Sequence, residues 1–178
     1  MWRTSGLESY SSKWANANLW KEFQWKINNR FFRTPQVLAK MNLNQPSERW
    51  RECGETMATH SHIFWQCPLL DNFWKSVFAY INYVLNVELI RDPQVAILWI
   101  KPVVIHSRKN MYLLQILMVA AKKTITIKWL KKESPNQAEW LTILRNIYTM
   151  EKMTYSLRLQ RDLFIERWAQ LMSVMEDR

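Results

Sequence analysis

The sequence predicts an all-α fold: a compact multi-helix domain carrying one small irregular Cys/His insertion. Three observations lead there. Apolar residues recur at spacings of three and four along most of the chain, which places them on one face of successive helices. Thr34-Pro35, Asp92-Pro93 and Ser134-Pro135 each put a capping residue before a proline, the pattern of a helix start, where the missing N–H of proline costs nothing. Gly6 and Gly54 are the only glycines. Tight hairpin turns need residues at positive φ, so such scarcity argues against a hairpin-rich β fold.

Taken in order, Leu19, Phe23, Ile27 and Phe31 repeat every four residues, with Trp20 and Trp25 beside them, and predict a first helix whose buried face includes Phe31. Thr34 then caps a second helix in TPQVLAKM. Residues 42–68 show no period and contain both cysteines. After Pro68, the run Leu70, Phe73, Trp74, Val77, Ile81, Val84 and Leu85 predicts a long amphipathic helix. Asp92 starts a short one reaching about Trp99, and Pro102 interrupts the chain. Met111, Leu114, Met118, Ala121 and Ile125 predict a long helix from Asn110 to about Lys132. In SPNQ, Ser134 is read as the next cap, with Gln137 returning its hydrogen bond. Trp140, Leu144, Ile147 and Tyr148 follow on one face, and Leu163, Trp168, Leu171 and Met175 predict a last amphipathic stretch.

With 178 residues the chain reads as a single domain over 1–178, long enough to remove about 70% of its unfolded surface from water. Its parts are amino-terminal helices over 14–41, a Cys/His loop over 42–68 and a helical part over 69–178. Eleven Trp and nine Met supply large side chains for its core. Trp65, Trp74, Phe31, Phe73 and Trp140 are assigned to that core, because large aromatics mostly bury.

Composition excludes several chemistries. Two glycines cannot build a dinucleotide fingerprint, a P-loop or a kinase glycine loop, each of which brings backbone close to phosphate. Asp71, Asp92, Asp162 and Asp177 are the only aspartates, and no two lie at helical spacing, so a two-metal polymerase or nuclease site has no converging carboxylates. A serine nucleophile elbow lacks its flanking glycines. The chain is therefore expected to be no enzyme. Its formal net charge of +10 points to a polyanion as partner. The start has no apolar run of signal-peptide type and no segment keeps eighteen uninterrupted apolar residues, so no membrane partner is expected. Two cysteines without secretory context fit a reducing compartment, cytoplasmic or nuclear, as thiols or metal ligands.

RWRECGETMATHSHIFWQCP, residues 49–68, holds those cysteines and two of the three histidines. Cys53, His62 and Cys67 have the reach of a small zinc module of ribbon-like or knuckle-like type, but a structural tetrahedral site needs a fourth ligand. His60 is the candidate, at the expense of a local bend. A catalytic thiolate–imidazole pair has no sign of an oxyanion hole beside it. His106, beside Ser107, reads as a surface or capping residue.

Lys122, Lys123, Lys128, Lys131 and Lys132 are predicted to fan over the solvated side of the long helix as a strip for phosphate, the alternative being a merely solubilising face. Arg30, Arg33, Lys40, Arg49 and Arg51 form a second basic group with Trp50 among them, and a tryptophan between arginines can stack on an unpaired base.

CGETMATHSHIFWQCPLLDNFW resembles the zinc-binding segment of reverse transcriptases from non-LTR retrotransposons, in the carboxy-terminal part of the second open reading frame of long interspersed nuclear elements. Cys53, Gly54, Thr59, His62, Ile63, Phe64, Trp65, Cys67, Pro68, Phe73 and Trp74 carry the likeness. Upstream, Arg30, Thr34, Pro35, Leu38, Lys40 and Met41 are similar to the family's R-x-x-x-T-P-x-x-L-x-K-M stretch. Downstream, AAKKTITIKW, the Glu139-Trp140 pair and MEKMTY resemble its later motifs, so the likeness spans roughly residues 14–170. It implies the piece that follows the polymerase, without polymerase or endonuclease. The implied partner is RNA or single-stranded nucleic acid, beside a reverse transcriptase acting in trans. The implied task is template binding or target-primed reverse transcription. One departure stands out: Arg49 occupies the place of the family's first cysteine, and its guanidinium stays protonated and cannot ligate zinc. The alternative is a decayed or repurposed fragment that serves as a protein-interaction scaffold.

Overall fold

A computed structural model describes residues 18–41, 53–128 and 131–176; they are helical, with no strand among them. In chain order the helices are α1 (Asn18–Asn28), α2 (Pro35–Lys40), α3 (Asp71–Leu85), α4 (Pro93–Leu98), α5 (Arg108–Ile127), α6 (Gln137–Leu157), α7 (Arg161–Trp168) and α8 (Met172–Glu176). A π-helical turn, His62–Gln66, and a 3₁₀ turn, Pro68–Leu70, lead into α3.

The punctuation residues act largely as the sequence predicts. Thr34 accepts a hydrogen bond from the Val37 N–H, with Pro35 in the first turn of α2. Asp92 caps α4 by accepting from the Gln94 N–H. Helix α5 begins at Arg108, two residues before the expected Asn110, and its cap is Ser107, which accepts from the Asn110 N–H, while His106 is exposed. The cap of α6 is a correction, because Asn136 rather than Ser134 holds it. The Asn136 side chain accepts from the Glu139 N–H while the Glu139 carboxylate accepts from the Asn136 N–H. Both pairs have the three-residue spacing of a capping box, but Glu139 also brings a negative charge to the positive end of the helix, which the neutral Gln137 does not.

The core centres on α5, against which α3, α4, α6 and α7 all pack. Every residue from Met111 to Lys122 is buried, so the helix is enclosed on all sides rather than along one stripe. Trp74, Trp140 and Trp168 are the largest fully buried side chains, and each places its indole N–H on an acceptor. Trp74 donates to the Phe64 carbonyl at 2.9 Å, Trp140 to the Leu117 carbonyl at 3.1 Å and Trp168 to Glu151 Oε2 at 3.0 Å. Truncating such an anchor to alanine typically costs about 3–5 kcal/mol. Glu151 also accepts from the Tyr112 hydroxyl, and burial pushes its carboxyl above the usual glutamate range.

Two expectations fail in packing. Phe31 is 63% exposed and lies beyond the end of α1, so it is not a core residue. Helix α5 stops at Ile127 instead of continuing to Lys132. The closing TITI run of β-branched residues has low helix propensity, and the Lys128 ammonium turns away to carboxylates on and before α6.

Scarcity of glycine shows at the helix ends. Arg30, Asn86, Trp99 and Leu159 have φ of 52°, 50°, 62° and 55°, the left-handed conformation that usually falls to glycine just past a helix. After α1, the Phe31 N–H reaches the Lys26 carbonyl and the Arg30 N–H the Ile27 carbonyl, the paired bonds of a Schellman turn. The same pairing closes α6 around Leu159, whose Gln160 neighbour donates to Tyr155.

Candidate metal centre

Cys53, His62 and Cys67 come together because of how the chain leaves one turn and enters the next. Gly54 has φ of +88° with open space where a Cβ would stand, so backbone conformation alone calls for glycine there. The Thr59 hydroxyl accepts the His62 N–H at 3.1 Å and fixes the start of the following turn. That turn is one residue wider than an α-turn, and the Cys67 N–H closes it on the His62 carbonyl at 2.9 Å. Pro68 disfavours the α region for the residue before it, and Cys67 accordingly swings to φ −60° and ψ 123°. Its side chain thereby folds back toward His62.

The ligand atoms of Cys53, His62 and Cys67 all lie within 4.8 Å of one another, so the three could hold a metal ion. Sγ of Cys53 and Nε2 of His62 are 3.4 Å apart. In a tetrahedral zinc site, bond lengths of about 2.3 Å to sulfur and 2.0–2.1 Å to nitrogen give S–N edges of roughly 3.5 Å. The Cys53–His62 edge already matches that figure. Cys67 is buried, whereas Cys53 and His62 are half-buried, so one flank faces solvent.

His60 does not complete the set. Its ring packs on Phe64 at 4.8 Å between centroids, and its Nε2 is buried without a hydrogen-bond partner among the described residues. Burial, then the nearby Arg30 guanidinium, lowers its pKa to about 4. On a helical turn, residues two apart point to different sides, which is why His60 and His62 do not converge. Arg49, with Trp50 and Arg51, lies outside the described residues.

The lysine strip changes most. Lys122 is fully buried, not solvated: its Nζ donates to Gln24 Oε1 at 2.5 Å and to the Ile97 carbonyl at 3.3 Å, over the Trp99 ring. Burial drives its amine well below the ordinary lysine value. Lys123 is half-buried, with Nζ 5.3 Å from the Phe23 ring centroid. Lys128 pairs with Glu139 at 2.6 Å and Glu133 at 3.8 Å, and its hydrogen bond to Glu139 raises its pKa. Lys131 and Lys132 are exposed beyond the helix end, as are Arg30 and Arg33 on the α1–α2 connection. Of the predicted strip only Lys131 and Lys132 are thus exposed, and of the second basic group Arg30, Arg33 and Lys40 are exposed among the described residues. Sequence reading overlooked Gln24 and Ile97, whose role depends on long-range contact and leaves no local signal.

Compared with models of known protein families, the chain matches none. No helix among the described residues is long and apolar enough to cross a membrane.

Proposed function

We propose that this chain is a non-catalytic, zinc-clamped module that binds RNA or single-stranded nucleic acid, of the kind that follows the polymerase in a non-LTR retrotransposon reverse transcriptase. The observation that carries the reading is the close grouping of Cys53, His62 and Cys67, two thiols and an imidazole within 4.8 Å. Sulfur and imidazole donors in a tetrahedral arrangement suit zinc rather than calcium or magnesium, which prefer oxygen. Arg49→Cys would supply a fourth ligand, the third thiolate of the set; with three ligands, water or a nearby donor fills the last position. Zinc here is structural: it ties the Cys53 turn to the entry of α3 and holds the surrounding basic surface in shape.

The net charge of +10 and the exposed Arg30, Arg33, Lys131 and Lys132 support a phosphate-bearing partner. Such a module would hold template RNA beside a reverse transcriptase supplied in trans, in the cytoplasm or nucleus. A second reading, a protein-interaction scaffold, is favoured by exposed Met153, Leu157 and Leu159 at the end of α6.

Metal analysis of the purified chain together with filter binding to RNA over a salt series tests the proposal. About one zinc per chain, and affinity falling linearly in log salt, are expected. Protein without zinc that binds RNA no better than it binds neutral polymer overturns it, and apolar docking insensitive to salt moves the scaffold forward.

A further inference from the structure

A cleft of about 700 Å³ lies beside the metal ligands, where α1, α2, the π-helical turn and α4 meet. Its size falls within the usual range for a small-molecule or nucleotide site, about 300–1,000 Å³. Phe32, Phe64 and Trp65 supply ring surface to its lining. These rings are held in place by neighbours: Phe32 sits edge-on to Phe23 and Phe64, with centroids 6.1 and 5.6 Å away, and Trp65 is backed by Trp74 and Phe78 at 5.2 and 6.2 Å. Rings fixed in this way lose little freedom when something packs on them.

Charge says what kind of ligand fits. Arg30 and Lys40 line the cleft and are exposed, and no carboxylate is among the lining residues described. Arg30 also adopts the left-handed conformation at φ 52°. That backbone state is unfavourable for a residue with a side chain, and it sets the guanidinium at the cleft. Gln36 and Gln94 add side-chain amides to the lining, groups able to pair with the edge of a base. An apolar, ring-lined slot with cations and amides around it complements a flat heterocycle attached to phosphate.

We infer that this cleft receives an unpaired nucleobase of single-stranded nucleic acid, with Phe32 and Trp65 offering stacking surface and Arg30 and Lys40 contacting the flanking phosphates. The inference rests on the nucleic-acid reading above and assigns it a second, base-contacting site apart from the lysines after α5. Duplex is a poor ligand for the slot, because its bases are already stacked and paired.

The test compares the full chain's affinity for oligoadenylate with that for an abasic strand of equal length, which keeps the phosphates and removes the bases. The parent is expected to bind oligoadenylate about tenfold more tightly, the scale of one stacked base. Phe32→Leu combined with Trp65→Leu should bring the two affinities to within about twofold while leaving the salt slope unchanged. Arg30→Gly suits the backbone at that position, so it should keep or improve folding while weakening both strands and reducing the salt slope by about one. Equal affinity of the parent for the two strands overturns the base site but leaves phosphate binding standing. Failure to bind either strand overturns the nucleic-acid reading and this inference with it. A folded double variant that retains the parent's preference overturns the site, and if that variant does not fold, unchanged affinity and slope in Arg30→Gly does so.

Discussion

Nζ of Lys122 in α5 donates to Oε1 of Gln24 in α1 across 2.5 Å, joining residues 98 apart in sequence inside a fully buried contact. Burial holds the amine's pKa well below that of an ordinary lysine. In the unfolded chain the same amine titrates near its usual value of about 10.4. Below the folded pKa both states carry the proton and the full penalty for burying charge applies. Between the two values the unfolded chain binds more protons, so stability rises with pH through that window. Each unit of lowering is worth about 1.4 kcal/mol. Lys122→Met should flatten this rise, and urea unfolding of parent and variant across the neutral-to-alkaline range measures it. Parallel pH profiles would mean that the amine is not confined as described.

On the proposed zinc clamp, Cys67→Ser should lower the zinc content and stability of the purified chain, because Cys67 is the buried member of the trio. Arg49→Cys should instead raise zinc affinity by completing a tetrahedron. Competition with a chromogenic chelator measures both; no gain for Arg49→Cys would show that residue 49 does not reach the other three ligands.

Among the lysines, Lys131→Gln with Lys132→Gln should lower RNA affinity about equally for unrelated sequences and reduce the salt slope by up to roughly two. Lys128→Gln should chiefly loosen the approach to α6, since its ammonium is engaged by Glu139. Trp50→Ala should cost about 1–3 kcal/mol only where an unpaired base can stack. Filter binding with single-stranded and duplex RNA separates these effects.

Leu159 is 94% exposed and sits at φ 55°, so its side chain contributes little packing while its backbone is strained. Left-handed backbone costs a residue with a Cβ about 1–2 kcal/mol, and glycine's greater freedom when unfolded offsets part of the relief. Leu159→Gly should therefore stabilise the chain by about 1 kcal/mol, a rise in Tm of about 2–4 °C for a domain of this size. A Tm unchanged or lowered would indicate that the side chain makes contacts of value.

Legibility in the sequence followed the range of the interactions. The apolar face of α3 and the caps at Thr34 and Asp92 depend on residues within one or two turns, and periodicity finds them. The approach of Cys53 to His62 also follows from short spacing. Charge usually means solvent, so local pattern places Lys122 outside, whereas the partners that allow its burial lie in α1 and at the end of α4. The four-residue repeat that includes Phe31 runs past Asn28, where the helix ends and the chain turns at Arg30. The choice of Asn136 over Ser134 is within reach of local rules, since Glu139 gives the first turn a charge that favours the helix N-terminus and Gln137 does not. The cleft left no trace, for its walls come from four separate elements.

The indole of Trp74 holds the Phe64 carbonyl from the core side, while the amide of Cys67 closes the same turn on His62. These bonds make the Cys67 amide a built-in reporter of clasp opening. Its proton can exchange with deuterated solvent only when the wide turn comes apart, so its exchange lifetime tracks the opening that separates two of the ligands. A cation spanning His62 and Cys67 would lengthen that lifetime without any change in helix content, distinguishing a tightened clasp from a refolded domain at the resolution of one residue.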